Sequence, residues 1–141
     1  MRMLSNAGPN GERKWITWEQ WCYDNVFEYP ILEDCKGYPF NMARIYPIKQ
    51  REVRDVYLYL KDHPKVARAR VFGSSTNMKC DWDSDLDVCI KVTPDCTEWD
   101  RGEISAHIVN MCKNGADVLW WDDIKYGTEL YANIRRGVIL F

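Results

Sequence analysis

The run Asp85-Leu-Asp-Val-Cys-Ile-Lys-Val92 constrains the chain more than any other stretch. Leu86, Val88, Ile90 and Val92 alternate with Asp85, Asp87, Cys89 and Lys91, a period of two that predicts a strand with one buried face. The apolar set fixes the register, because a slip of one residue would turn the carboxylates into the core. Asp85 and Asp87 therefore project together from the opposite face, roughly 7 Å apart at their Cα atoms. Two carboxylates so placed repel each other and call for a counter-charge.

The flanking segments predict a mixed α/β architecture. Residues 1–14 are polar and read as a flexible arm around Asn6-Ala-Gly-Pro-Asn-Gly11. Thr17-Trp-Glu-Gln20 resembles a capping box and opens a helix to about Glu28, stopped by Tyr29-Pro30. Irregular structure is expected from Ile31 to Pro47. Val53, Val56, Tyr57 and Leu60 then mark one helical face, ended at His63-Pro64. Residues 65–72 alternate, with Ala67, Ala69 and Val71 on one side and Arg68 and Arg70 on the other. Thr97 caps a helix carrying Ile104, Ile108, Met111 and Cys112, which Asn114-Gly115 closes. A third strand at Ala116-Asp-Val-Leu-Trp-Trp121, a short helix from about Gly127 to Arg136 and the terminal Val138-Ile-Leu-Phe141 complete the order. The predicted organisation is an extension over residues 1–46 and one domain over residues 47–141.

Composition narrows the classes. A chain of 141 residues, 46% of them apolar, suits one domain with a true core. The formal net charge of −2 does not by itself advertise a nucleic-acid or anionic-membrane surface. No apolar run is long enough to cross a bilayer, and residues 1–15 lack the apolar centre of a signal peptide, so a cytoplasmic protein is expected. The six cysteines form no CxxC pair and no Cys/His cluster at zinc spacing, and reduced core thiols are the expectation.

The acidic stretch, Val71-Phe-Gly-Ser-Ser-Thr-Asn-Met-Lys-Cys-Asp-Trp-Asp-Ser-Asp-Leu-Asp-Val88, places a Gly-Ser turn ahead of the carboxylate pair. Asp81, Asp83 and Asp85 match the first three ligand positions of an EF-hand, but Leu86 stands where glycine is needed and Val92 where glutamate is needed. Paired carboxylates suit hard divalent ions such as Mg²⁺, two of which sit about 4 Å apart in two-metal sites. A strand ending in Gly73-Ser74 and turning into a short helix presents backbone N–H groups and a hydroxyl, which bind phosphate. Side by side, the two halves suit a metal–triphosphate ligand. Asp81 and Asp83 read as loop charges. Trp82 offers either a base-stacking ring or local packing, Trp120 and Trp121 straddle two faces of a strand, His107 reads as a helix-surface residue, and His63 belongs to helix termination.

These motifs resemble the nucleotidyltransferase superfamily of DNA polymerase beta, whose hallmark is hydrophobic-Gly-Ser, a spacer, then Asp-hydrophobic-Asp-hydrophobic. Here they stand as Phe72-Gly73-Ser74 and Asp85-Leu86-Asp87-Val88, separated by ten residues. The spacer is similar to that of the minimal nucleotidyltransferases, small domains often paired with HEPN-type ribonuclease toxins, and the resemblance covers roughly Ile48 to Phe141. It implies a polymerase-beta-type fold, a small mixed sheet flanked by helices. It further implies that Asp85 and Asp87 bind two Mg²⁺ ions (or Mn²⁺) bridging a triphosphate, with Asp117 as the third carboxylate. The aspartate inside the otherwise apolar Ala116-Asp-Val-Leu-Trp-Trp121 fits that place, since an unpaired buried charge is rare. Gly73, Ser74 and Lys79 would contact the nucleotide phosphates. Many minimal members continue Gly-Ser-x-Ala-Arg-Gly; this chain has Asn77 at the arginine position, and Lys79 is the cation nearest in sequence to replace it.

The implied activity is transfer of a nucleoside monophosphate, AMP from ATP, to a hydroxyl of a toxin tyrosine, a tRNA or other RNA end, or a small molecule such as an aminoglycoside. A non-catalytic module that neutralises a toxin by docking is the competing class, and a simple divalent-metal-binding protein a third that would leave Gly73-Ser74 unexplained.

Overall fold

The computed structural model describes residues 2–26, 28–77 and 79–141. Strand β1 (Arg2–Leu4) pairs antiparallel with β2 (Trp15–Thr17), and helix α1 (Trp18–Val26) follows directly. The expected polar arm is thus a hairpin: Ser5 N–H donates to the Lys14 carbonyl at 2.8 Å, and the Arg2 guanidinium lies over the Trp15 ring. Three-residue strands with no buried side chain leave almost no period-two signal to read. Thr17 caps α1 as expected, its hydroxyl accepting from Gln20 N–H at 3.1 Å. The helix is described to Val26; Phe27, which the expected extension to Glu28 includes, lies outside the described residues.

Residues 29–46 are irregular, with short 3₁₀ turns at Glu33–Cys35 and Met42–Arg44. Helix α2 (Pro47–Leu60) begins with its proline in the first turn, where no intrahelical N–H is missed. Its buried stripe of Val53, Val56 and Leu60 is the expected one. Gln50 on the same helix is also fully buried. Its side-chain oxygen accepts from Leu32 N–H at 2.8 Å, while its amide donates to the carbonyls of Pro30 and Ile45 at 2.8 and 3.1 Å. One side chain therefore ties both ends of the irregular segment to the helix.

The main sheet holds β3 (Val66–Phe72), β4 (Leu86–Val92), β5 (Ala116–Trp120) and β6 (Val138–Ile139) in the order β5-β4-β3-β6. β4 and β5 run parallel, joined through helix α3 (Glu98–Met111); the β3–β4 and β3–β6 pairs are antiparallel. Leu86, Val88, Ile90 and Val92 are all buried, as their alternation requires. β3 departs from its expected pattern. The pairing skips from Val66↔Val92 to Arg68↔Lys91, a bulge that leaves Ala67 exposed and puts Val66 in the core instead. α3 carries a complete capping box: Thr97 Oγ1 accepts from Asp100 N–H at 3.1 Å, and the Asp100 carboxylate accepts from Thr97 N–H at 2.9 Å.

The main core joins α2, α3 and one sheet face, and draws in Cys35, Phe40, Met42 and Ile45 from the irregular segment. On the other face a smaller cluster of Phe72, Cys89 and Ile134 sits beneath helix α4 (Glu129–Arg135). Trp120 packs toward the first cluster and Trp121 toward the second, one on each face as the sequence suggests. The chain passes from α4 to β6 through Gly137, where a Cβ would stand 2.4 Å from the Val71 carbonyl oxygen. All six thiols are free, and five are buried. Exposed His107 stacks on Tyr59 at 3.9 Å from α3's surface, and His63 Nδ1 accepts from Lys65 N–H where α2 has ended. Among the described residues no helix is long and apolar enough to cross a membrane.

Candidate functional site

β3 delivers the chain into a tight 3₁₀ turn at Gly73–Thr76. Gly73 takes φ +74°, the left-handed region that favours glycine, and a Cβ there would lie 2.3 Å from Asp87 Oδ2. The turn and the carboxylate are thus in direct apposition, because Phe72 and Asp87 are register partners across β3 and β4. Thr76 Oγ1 and Asn77 Nδ2 both donate to the Gly73 carbonyl, at 2.9 and 3.0 Å, and Lys79 N–H donates to Asn77 Oδ1 at 2.8 Å. Asn77 is therefore spent on bracing the turn from within. The half-buried Ser74 hydroxyl has no hydrogen bond among the described residues, and Ser75 Oγ is buried without a partner.

Asp87 and Asp117 are register partners in the parallel pair β4–β5, which sets their Cα atoms about 4.8 Å apart. Asp85 precedes β4 by one residue and is exposed. None of the three has a hydrogen bond or ion pair among the described residues, although the nine ion pairs there engage many of the chain's other acids. Burial first, then the Asp85 and Asp117 carboxylates, push the Asp87 carboxyl up to about 6. Asp117 itself is exposed, so the rarity of buried charge does not account for it; it sits in register beside Asp87.

No group of three or more His, Cys, Asp or Glu side chains among the described residues is drawn together closely enough to hold a metal ion. What fits a hard cation is the donor chemistry: carboxylate oxygens, mutually repelling, with no cation among the described residues paired with them. Asp81 and Asp83 have a different place. Asp81 Oδ1 accepts from Asp83 N–H at 2.9 Å and lies 3.3 Å from Ser84 Oγ, so these two residues shape the loop before Asp85. Trp82 is exposed on that loop, its carbonyl accepting from the Asn114 amide.

Lys79 is exposed and lines a cavity of about 540 Å³ that starts at Gly73. Two arginines that sequence reasoning did not single out, Arg44 and Arg136, line it as well. Neither carries a motif, and they lie 92 positions apart in a chain that folds to bring them within hydrogen-bonding distance.

No family model and no curated protein matches the chain. Among solved structures, the chain is similar to one in the crystal structure of the toxin–antitoxin MntA-HpeT, determined as a mutant with two Asp-to-Glu replacements. Identity is 15%, the match covers 64% of this chain and 72% of that chain, and the TM-score is 0.50. The likeness is one of fold: a mixed α/β nucleotidyltransferase fold, as the resemblance implies.

Proposed function

We propose that the chain is a Mg²⁺-dependent nucleotidyltransferase that moves AMP from ATP onto a hydroxyl acceptor, releasing pyrophosphate and the hydroxyl's proton, and works as the antitoxin partner of a HEPN-type toxin. The observation that carries this reading is the set of three unpartnered carboxylates, Asp85, Asp87 and Asp117, next to the Gly73-Ser74 turn. The toxin–antitoxin setting is taken from the similar solved structure and is an inference for this chain.

Asp85, Asp87 and Asp117 would hold the ions, whose contribution is to neutralise the polyphosphate and make an attacking hydroxyl easier to deprotonate. The chain's own share is positional. The Gly73–Thr76 turn offers backbone N–H groups and the Ser74 hydroxyl to phosphate oxygens. Asp87, half-buried and fixed by Leu86 and Val88 in the core, is the anchor of the three. Asp117 lies on the next strand in register with Asp87 and would complete the donor set as the three side chains turn toward a bound ion.

The test has two arms. Calorimetry with Mg²⁺ and α,β-methylene ATP should give saturable binding that Ser74→Ala weakens. With α-labelled ATP and the protein encoded beside this one, label should transfer to the partner, and Asp87→Asn should reduce transfer at least about 100-fold, the scale of losing one key electrostatic group. Unchanged transfer by a folded Asp87→Asn protein overturns the catalytic reading. A second reading, a docking module that neutralises its toxin without chemistry, is favoured by one observation: Asn77 occupies the expected arginine position and is bonded inward. Tight partner binding with no nucleotide binding would select it. Purified tRNA and aminoglycosides serve as acceptors in parallel assays.

A further inference from the structure

The cavity that opens beside Gly73 has an electrostatic character the carboxylate site lacks. Among the described residues, Arg44, Lys79 and Arg136 line it against one acid, Glu129. None of the three cations makes an ion pair among the described residues, whereas Arg51, Arg54 and Arg101 all do. Arg44 is half-buried, so its guanidinium is partly withdrawn from water without a carboxylate to compensate it. A volume of about 540 Å³ is of the size that ligand sites occupy.

Arg44 is also held in place. Tyr29 N–H donates to the Ala43 carbonyl at 2.6 Å within the Met42–Arg44 turn, and two residues beyond that turn Tyr46 N–H donates to the Ser75 carbonyl at 2.8 Å, tying the segment to the Gly73–Thr76 turn. One guanidinium nitrogen of Arg44 donates to the Arg136 carbonyl at 2.8 Å. The rest of its planar fork remains for an anion.

We propose that this cavity seats the polyphosphate tail of the nucleotide, with Arg44, supplied by the N-terminal extension, as its principal phosphate-binding side chain and Lys79 and Arg136 as auxiliary cations. The inference rests on the nucleotide-transfer reading above and adds a role for a residue outside the 47–141 segment. It accounts for Asn77 at the expected arginine position: the forked cation enters from a different part of the chain, and position 77 is left to brace the turn.

The probe is inorganic tripolyphosphate, titrated calorimetrically in EDTA so that no metal-bridged contact contributes. The parent should bind it saturably. Arg44→Ala should weaken binding at least about tenfold, the scale of a charge-assisted hydrogen bond. Arg44→Lys, which keeps the charge and loses the fork, should fall between the two. Lys79→Ala, at an exposed position, tests the cavity in a variant whose fold is not at risk, and should weaken binding severalfold. Arg68→Ala, on the exposed face of β3, should leave it unchanged. Absence of tripolyphosphate binding by the parent, full binding by folded Arg44→Ala and Lys79→Ala, or equal weakening by Arg68→Ala each overturns the assignment. If Mg²⁺–nucleotide binding that depends on Ser74 persists after such a result, the transfer reading stands without this cavity. Tripolyphosphate binding without any Mg²⁺–nucleotide transfer upholds the cavity and removes the transfer reading.

Discussion

Gly73 and Asp87 behave as one unit. The glycine's φ of +74° costs an L-residue about 1–2 kcal/mol, and the space its Cβ would fill belongs to Asp87 Oδ2. That oxygen is the end of a side chain, so Gly73→Ala would be accommodated by swinging the carboxylate away. The expected outcome is a modest loss of stability, about 1–2 kcal/mol by denaturant unfolding, together with a far larger loss of Mg²⁺–nucleotide binding by calorimetry. Loss of stability with intact binding would separate the turn from the carboxylate site. The Gly-Ser dipeptide and the carboxylate alternation were legible in sequence because each is a local pattern. The contact between them was not, since it depends on the Phe72↔Asp87 register. Asn77 illustrates the complementary limit. Its identity marks where an arginine is missing, but only the fold reveals that its amide bonds to Gly73 and that Arg44 lies nearby.

At the scale of elements, legibility follows the length of the repeating signal. β4 carries seven residues of unbroken alternation, and α3, whose apolar stripe is short, is bounded by the Thr97 cap and the Asn114-Gly115 stop; both match their expected limits closely. The β1–β2 hairpin has three residues per strand and no buried face, and the bulge at Ala67 inverts a parity that alternation takes for granted. The irregular stretch between α1 and α2 was readable as irregular, yet nothing local indicates that Gln50 organises it. Gln50→Leu would keep the volume and remove three hydrogen bonds, leaving the Leu32 N–H and the Pro30 and Ile45 carbonyls to find other partners. Each buried group left unpaired costs about 1–3 kcal/mol. The variant should lose roughly 2–5 kcal/mol by urea unfolding, allowing for partial rescue by water. Amide exchange should quicken in residues 30–45 more than in β4. Uniform quickening throughout would show that Gln50 does not act on this segment in particular.

On the scale of the whole molecule, the N-terminal extension is two things with different attachments. Residues 2–17 bury no side chain, whereas Phe40, Met42 and Ile45 enter the main core and Arg44 enters the cavity beside Gly73. The motif resemblance read from sequence spans roughly Ile48 to Phe141 and is silent on this division, because a core contribution from an irregular segment has no period to announce it. Burial of Phe40, Met42 and Ile45 contributes about 1.5–3 kcal/mol each, so together they approach the whole net stability of a small domain, about 5–15 kcal/mol. A chain shortened to residues 18–141 should therefore keep a single cooperative unfolding transition and its tripolyphosphate affinity. A chain shortened to residues 47–141 should lose both, exposing the apolar faces of α2 and β3 to solvent and to aggregation. Thermal and urea unfolding, read by near-ultraviolet circular dichroism from the tryptophans, distinguish the two. Cooperative unfolding of the 47–141 chain at the parent's midpoint would mean that residues 30–45 lie on the domain and are not part of what holds it together.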